Sequence, residues 1–180
     1  RRSSDLVNTY SEEKLADIIY TYGEERFTRQ IAHQIVKMRQ EKPFEDTLSL
    51  ANAIHTVMPH PSGKIDSATR TFQALRIYVN DELGELERAL NASVKMLKTG
   101  GVLSVVTFHS LEDRIVKNFC TQMTTPAVHV NKYKPQQQKK TYFELLYKKP
   151  ISATAAEVKQ NPRARSAHLR SLVFTKEDNS

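Results

Sequence analysis

The chain has 180 residues, of which 39% are hydrophobic, and a formal net charge of +7 at neutral pH. That length suits one ordinary domain, or a domain with a smaller subdomain, and no run approaches the roughly 20 apolar residues that a membrane helix needs. The single cysteine, Cys120, excludes an internal disulfide framework and an all-cysteine metal site.

The charge is unevenly spread. Residues 1–66 hold 9 Lys/Arg against 10 Asp/Glu, residues 67–123 hold 7 against 6, and residues 124–180 hold 11 against 4. The excess sits in the last third, which favours a polyanionic partner such as RNA over a uniformly basic surface. A solvated basic tail is the plainer alternative. The opening RRSSDLVNTYSEEK has no apolar h-region, so no secretory signal is expected. One thiol in a chain of this size suits a reducing, cytoplasmic interior.

In chain order, Ser11 is placed to cap a helix whose first turn carries Glu12 and Glu13, favourable at the positive end of the dipole. Leu15, Ile18, Ile19 and Tyr22 form its apolar stripe, and Gly23 is its expected stop. A second helix over residues 24–40 presents Phe27, Ile31, Ile35 and Met38 inward, and Pro43 interrupts it. Thr47 is the expected cap of a third, with Leu50, Ala51, Ile54 and Val57 inward. Residues 1–66 therefore read as a small helical subdomain. Two helices joined at a glycine also match a helix-turn-helix DNA reader exposing Arg26, Arg29 and Lys37, but the net negative charge of the segment opposes it, and no DNA partner is expected.

Beyond a proline-rich break, Asp66 or Ser67 caps one long helix with Phe72, Leu75, Val79, Leu83, Leu86, Leu90, Val94 and Leu97 on its apolar face, ended by Gly100-Gly101. Val102-Leu103-Ser104-Val105-Val106 is apolar on consecutive positions and predicts a strand buried on both faces. Thr107–Asn118, TFHSLEDRIVKN, then makes a polar corner followed by helical spacing at Leu111, Ile115 and Phe119. Ligands in open α/β sheets bind outside the carboxyl ends of strands, where this corner falls. Cys120 lies on the same helix and reads as a packed thiol. Residues 124–141 show no period and predict a basic loop. YFELLY at 142–147 and HLRSLVF at 168–174 predict two antiparallel strands, joined by a connection that carries NPRARSA. The class expected is α/β, part of a Rossmann-like methyltransferase fold with an all-helical inserted subdomain: 1–66 helical, 67–180 the C-terminal part of the α/β domain.

Four blocks carry a specific resemblance: YTYGEERFTRQIAHQIV (20–36), ATRTFQALRIYVNDELGELERAL (68–90), GGVLSVVTFHSLEDRIVKNF (100–119) and NPRARSAHLR (161–170). In this order they are similar to the ribosomal RNA small subunit methyltransferase H family, MraW, over about residues 6–174. The resemblance implies transfer of a methyl group from S-adenosylmethionine to N4 of a cytidine at the decoding centre of 16S rRNA. It implies a cytoplasmic enzyme, with a mitochondrial relative as the alternative home, and a helical insertion thought to help recognise substrate. The small ribosomal subunit is the implied partner, no membrane is involved, and a homodimer stays open. The family's glycine-rich opening loop, GxGGHS, and its LDLGVSS-like motif are not found in the 180 residues. The chain thus resembles the C-terminal portion, with no cofactor-binding residues assigned and weak or no binding of S-adenosylmethionine, and the isolated chain is expected to be inactive. A non-catalytic RNA- or ribosome-binding module is the alternative, and a purely structural helical domain a third reading.

The N4 amine has a delocalised lone pair, so methylation needs alignment and an acceptor for its N–H more than a strong base. On the substrate side the candidates are Phe108, to stack on an extruded base, and His109 and Ser110, to contact it. His109 is equally placed to cap the following helix. Arg114 is expected to be tied to an acid. The RNA-binding candidates are Arg70 and Arg76, on the long helix and equally readable as a solvated face, and Arg163, Arg165, Lys139 and Lys140, within a basic cluster that also takes in Lys148, Lys149 and Arg170. The histidines show no metal spacing, and no metal is expected.

Overall fold

The computed structural model describes residues 3–58, 66, 68–124 and 142–175, which form two compact units, Arg1–Glu82 and Leu83–Ser180. The first unit is helical: α1 (Ser3–Thr9), α2 (Glu12–Gly23), α3 (Thr28–Glu41), α4 (Thr47–Val57) and α5 (Ala68–Asn80). Their stripes meet in one core in which Leu15, Ile19, Ile31, Ala32, Ala53, Ile54 and Ala74 have no exposed surface. α1 was not expected from sequence, yet it buries Leu6 and Val7 in that core. Two caps follow from local chemistry. Ser11 accepts from the N–H of Lys14, as its position before two glutamates predicts. At α4 the cap is Asp46 rather than Thr47: its carboxylate accepts from the Ser49 N–H at 2.7 Å, which holds that carboxyl below its ordinary value.

The second helix begins four residues later than its periodicity suggests. Glu25 is buried, and its Oε1 accepts from the backbone N–H groups of Arg26 (2.7 Å) and Phe27 (3.2 Å). Those bonds keep residues 24–27 in a turn, so Phe27 stands at the N-cap of α3, 45% exposed rather than inward.

The single long helix expected over 67–97 is two helices. Asp81 takes φ +50°, a left-handed conformation that ends α5 and starts α6 (Glu82–Met96) afresh. α5 packs on α2, and the compact unit that holds both runs to Glu82.

The second unit holds α6, β1 (Val102–Thr107), α7 (Ser110–Thr124), β2 (Phe143–Leu145), β3 (Ile151–Ser152), α8 (Ala155–Gln160), a 3-10 helix (Pro162–Ser166) and β4 (His168–Phe174). Its sheet order is β1-β4-β2, with β3 also on β4. Every described pairing is antiparallel: Val102 faces Val173, Thr107 faces His168, Phe143 faces Phe174, and Ile151 faces Leu169. β1 and β2 therefore run parallel to each other with β4 inserted between them.

One sheet face carries Leu103, Val105, Phe143, Leu172 and Phe174, packed with Leu90 of α6 and Val116, Phe119 and Cys120 of α7. Burial pushes the Cys120 thiol pKa up, as a packed thiol requires. The other face of β1 is open: Val102 is 49% and Val106 51% exposed. The expectation of a strand covered on both faces is not met within this unit, because both described packing helices lie against the same side. The 142–147 strand is shorter than expected, while β4 matches its predicted span.

Candidate RNA-facing edge

The polar corner after β1 is built as a reciprocal cap. The His109 carbonyl accepts the first backbone bond of α7, from Asp113 N–H at 3.1 Å, which makes His109 the N-cap. Its ring Nδ1 accepts from the Glu112 N–H in a long bond of 3.4 Å, while Glu112 Oε2 reaches back to the N–H groups of Phe108 (2.7 Å) and His109 (3.3 Å). This is the logic of the capping box, with an imidazole in the place of a hydroxyl. It requires an unprotonated Nδ1, so the proton of the neutral ring sits on Nε2. That nitrogen faces Glu112 Oε1 at 3.3 Å, poorly aligned for a hydrogen bond but close enough to favour the carboxylate's negative charge. Burial works against the charged form of Glu112, but the His109 side chain and the Phe108 N–H outweigh it and hold the carboxyl below its ordinary value. Of the two roles open to His109, the geometry supplies the cap.

Beneath the corner, Asp113 takes both nitrogens of a guanidinium fork: Arg170 Nε and Nη2 each donate at 2.9 Å, from β4. Thr107 Oγ1 adds a 3.5 Å contact to the same carboxylate, and His168 Nδ1 lies 4.0 Å away. The Arg170 hydrogen bonds hold the Asp113 carboxyl below its ordinary value and raise the guanidinium pKa in return. Arg170 is thus committed to an acid and leaves the basic cluster in which sequence placed it. No sequence signal pairs 113 with 170; only the β1–β4 register brings them together. Arg114 is exposed on α7.

At the rim, Phe108 is 56% exposed at the end of β1, and Ser110 is exposed at the first position of α7. The 3-10 helix leads directly into β4 at the end where β1 finishes. Asn161 caps it by accepting from Arg163 N–H, Ala164 is buried as its anchor, and Arg163 and Arg165 are exposed on either side. Phe108, Ser110, Arg163 and Arg165 therefore belong to one edge of the second unit. Lys148 and Lys149, between β2 and β3, are exposed as well.

The remaining candidates are elsewhere. Arg70 and Arg76 lie on α5 of the first unit. Arg76 makes a fork on Glu82, with Nε–Oε1 at 2.9 Å and Nη2–Oε2 at 3.0 Å, and its charge is spent there. Arg70 is 58% exposed and sits 3.6 Å from buried Glu25. Lys139 and Lys140 lie outside the described residues.

The backbone of the one adjacent glycine pair is already used by the sheet: Gly100 N–H donates to the Phe174 carbonyl and Gly101 accepts from Phe174 N–H. Among the described residues no group of His, Cys, Asp and Glu is arranged to hold a metal ion, and no helix is long and apolar enough to cross a membrane.

Compared with known proteins, residues 2–175 match the sequence profile of the MraW methylase family. The chain is 51% identical over 173 residues to ribosomal RNA small subunit methyltransferase H of Gluconobacter oxydans, covering 95% of this chain and 54% of that protein. Against the protein of the same name in Paramagnetospirillum magneticum it is 50% identical over 176 residues, covering 96% and 55%. Against that of Methylobacterium nodulans it is 52% identical over 171 residues, covering 93% and 50%. The chain spans about half the length of the curated relatives it matches.

Proposed function

The chain belongs to the MraW methylase family, and from that membership we propose that it serves in methylation of small-subunit rRNA, supplying the RNA-facing side of the reaction. The target we infer is N4 of a cytidine at the decoding centre of 16S rRNA, with S-adenosylmethionine as the methyl donor, in the cytoplasm. The relatives named above are bacterial and lend the mitochondrial alternative no support.

The observation that carries this reading is the edge at the carboxyl end of β1. An aromatic face, Phe108, lies at the same end of the sheet as a capped 3-10 helix with two exposed arginines, while the polar groups beneath are tied to each other. Stacking on an extruded base and fork-shaped donors for phosphate are the two contacts such a substrate needs. Ser110 is the hydroxyl at this edge suited to accept from the target amine; His109 Nδ1 is spent on the cap. A strand inserted antiparallel between two parallel ones supports the Rossmann-like reading, with residues 1–66 as most of its helical insertion.

On this reading the chain alone binds S-adenosylmethionine weakly or not at all. The test is methyl transfer to small subunits lacking the modification, using labelled S-adenosylmethionine. The chain is assayed alone and together with a polypeptide covering the remaining length of a relative. Label at cytidine N4 only in the combined reaction is expected. Transfer by the chain alone would overturn the division of labour, and RNA affinity without transfer in either arm would favour a non-catalytic RNA-binding module.

A further inference from the structure

We propose that the segment looping out between β2 and β3 is a second contact for the RNA strand, with Tyr147 stacking on a base and Lys148 and Lys149 meeting phosphates that flank the target nucleotide. It rests on the RNA reading above and adds residues from another part of the same unit.

The argument starts from strand register. β1 occupies one edge of β4 from Val173 to His168, so β2 and β3 share the other edge. There Leu145 faces Leu172 and Ile151 faces Leu169, which makes β2 and β3 one edge strand interrupted in the middle. Five residues, 146–150, stand against two of β4, Arg170 and Ser171. The Leu146 N–H still donates to the Ser171 carbonyl at 3.1 Å, so residues 147–150 leave the ladder opposite Arg170 alone. Pro150, which has no N–H to donate, stands immediately before pairing resumes at Ile151. Interruptions of this kind bend an edge strand and re-aim its side chains, and they recur beside active sites.

The loop displays a ring and two cations. Tyr147 is 51% exposed and forgoes much of its burial energy, and Lys148 and Lys149 are exposed beside it. Among the described residues neither lysine makes an ion pair. The acids on the adjoining elements are Glu144 of β2 and Glu157 of α8, both exposed, and Glu112 and Asp113 of α7, which are taken up by the His109 cap and by Arg170. From Pro150 the chain reaches the RNA-facing edge in two residues, because Ser152 pairs with His168, which also faces Thr107 at the end of β1. At about 3.3 Å per strand residue that is roughly 7 Å, so one extended RNA strand can touch both places. A ring flanked by ammonium groups fits a single strand, whose bases and phosphates use both, better than an acidic peptide, which uses only the charge. Lysines and a proline on an edge strand also block pairing with other chains, and the test separates that role.

The test measures binding of the full chain to a short fluorescein-labelled single-stranded RNA across a salt series, with melting and light scattering of each variant. Lys148→Ala/Lys149→Ala is expected to weaken binding about tenfold and to flatten the log–log salt slope by about 1.4, at about 0.7 per lost contact on a single strand. Tyr147→Ala is expected to weaken it about tenfold with the slope unchanged, and Tyr147→Phe to keep wild-type affinity. All three variants should melt with the wild type, since the side chains changed are exposed. Wild-type affinity and slope in the double variant would overturn the proposal, and aggregation of that variant at unchanged affinity would assign the lysines to guarding the sheet edge instead. Equal competition by polyglutamate would overturn it as well. Arg163→Ala/Arg165→Ala separates the two readings. If it alone weakens binding, only the loop proposal falls; if the wild-type chain binds no RNA, both fall.

Discussion

At Gly23 the constraint is space and not conformation. The residue is helical and the left-handed position belongs to Glu24, but a methyl group on Gly23 would press on the Arg70 carbonyl at 2.8 Å and on Ala74 Cβ at 3.4 Å. Gly23→Ala should therefore destabilise the helical unit by about 1–3 kcal/mol through overpacking, read as a lower urea midpoint at unchanged slope. His109 makes a different kind of claim. If its ring acts as a cap, His109→Ala should cost about 1 kcal/mol and His109→Asn should restore most of it, because a side-chain oxygen can take the Glu112 N–H. Asp113 adds a pH dependence. Its carboxyl is held below its ordinary value by Arg170, so the stabilisation is fully present above the unfolded pKa of about 4 and is lost as pH falls through the lower folded value. Asp113→Asn should lower stability by about 2 kcal/mol at pH 7, with the gap to wild type closing in acid. A gap of constant size down to pH 2 would contradict this.

Among the elements, the break at Asp81 shows how one backbone torsion changes an architecture. The apolar spacing continues across 72–97 without interruption, so periodicity alone reads one helix. The left-handed residue ends α5, which spends its stripe on α2, while α6 spends its own on the sheet. Asp81→Val should cost about 1–2 kcal/mol, since a β-branched residue tolerates φ +50° poorly, whereas Asp81→Gly should be tolerated. β1 carries the complementary lesson. Its inward partner across the ladder, Leu172, is 1% exposed, and Leu172→Ala should cost about 2–5 kcal/mol. Val106→Thr, on the open face, should stay within about 0.5 kcal/mol of wild type in the same chemical denaturation.

Over the whole molecule, charge and chemistry are divided between the units. Arg1–Glu82 carries 11 Lys/Arg and 12 Asp/Glu, and Leu83–Ser180 carries 16 and 8, so the second unit holds all of the excess. The basic cluster expected from composition is accordingly real as a distribution, but tertiary pairing edits it. Within it Arg170 is paired by a fork on Asp113, while Arg163 and Arg165 stay exposed; in the first unit Arg76 is paired likewise with Glu82. Counting charges locates the surplus; only geometry says which cations remain available for phosphate.

The sequence by itself determined whatever depends on near neighbours in the chain. That covers the helical stripes, the Ser11 cap, the strand at 168–174, and the family, which is carried by blocks of contiguous residues. The tertiary structure decided whatever depends on partners distant in sequence. The Glu25 carboxylate shortened α3 and turned Phe27 outward, the strand register joined Asp113 to Arg170 across 57 positions, and packing on one side alone left a face of β1 open. The physical reason is the same in each case. Propensity and periodicity act over a few residues, whereas the desolvation of a charge or of an apolar face is settled by whichever groups the fold brings against it.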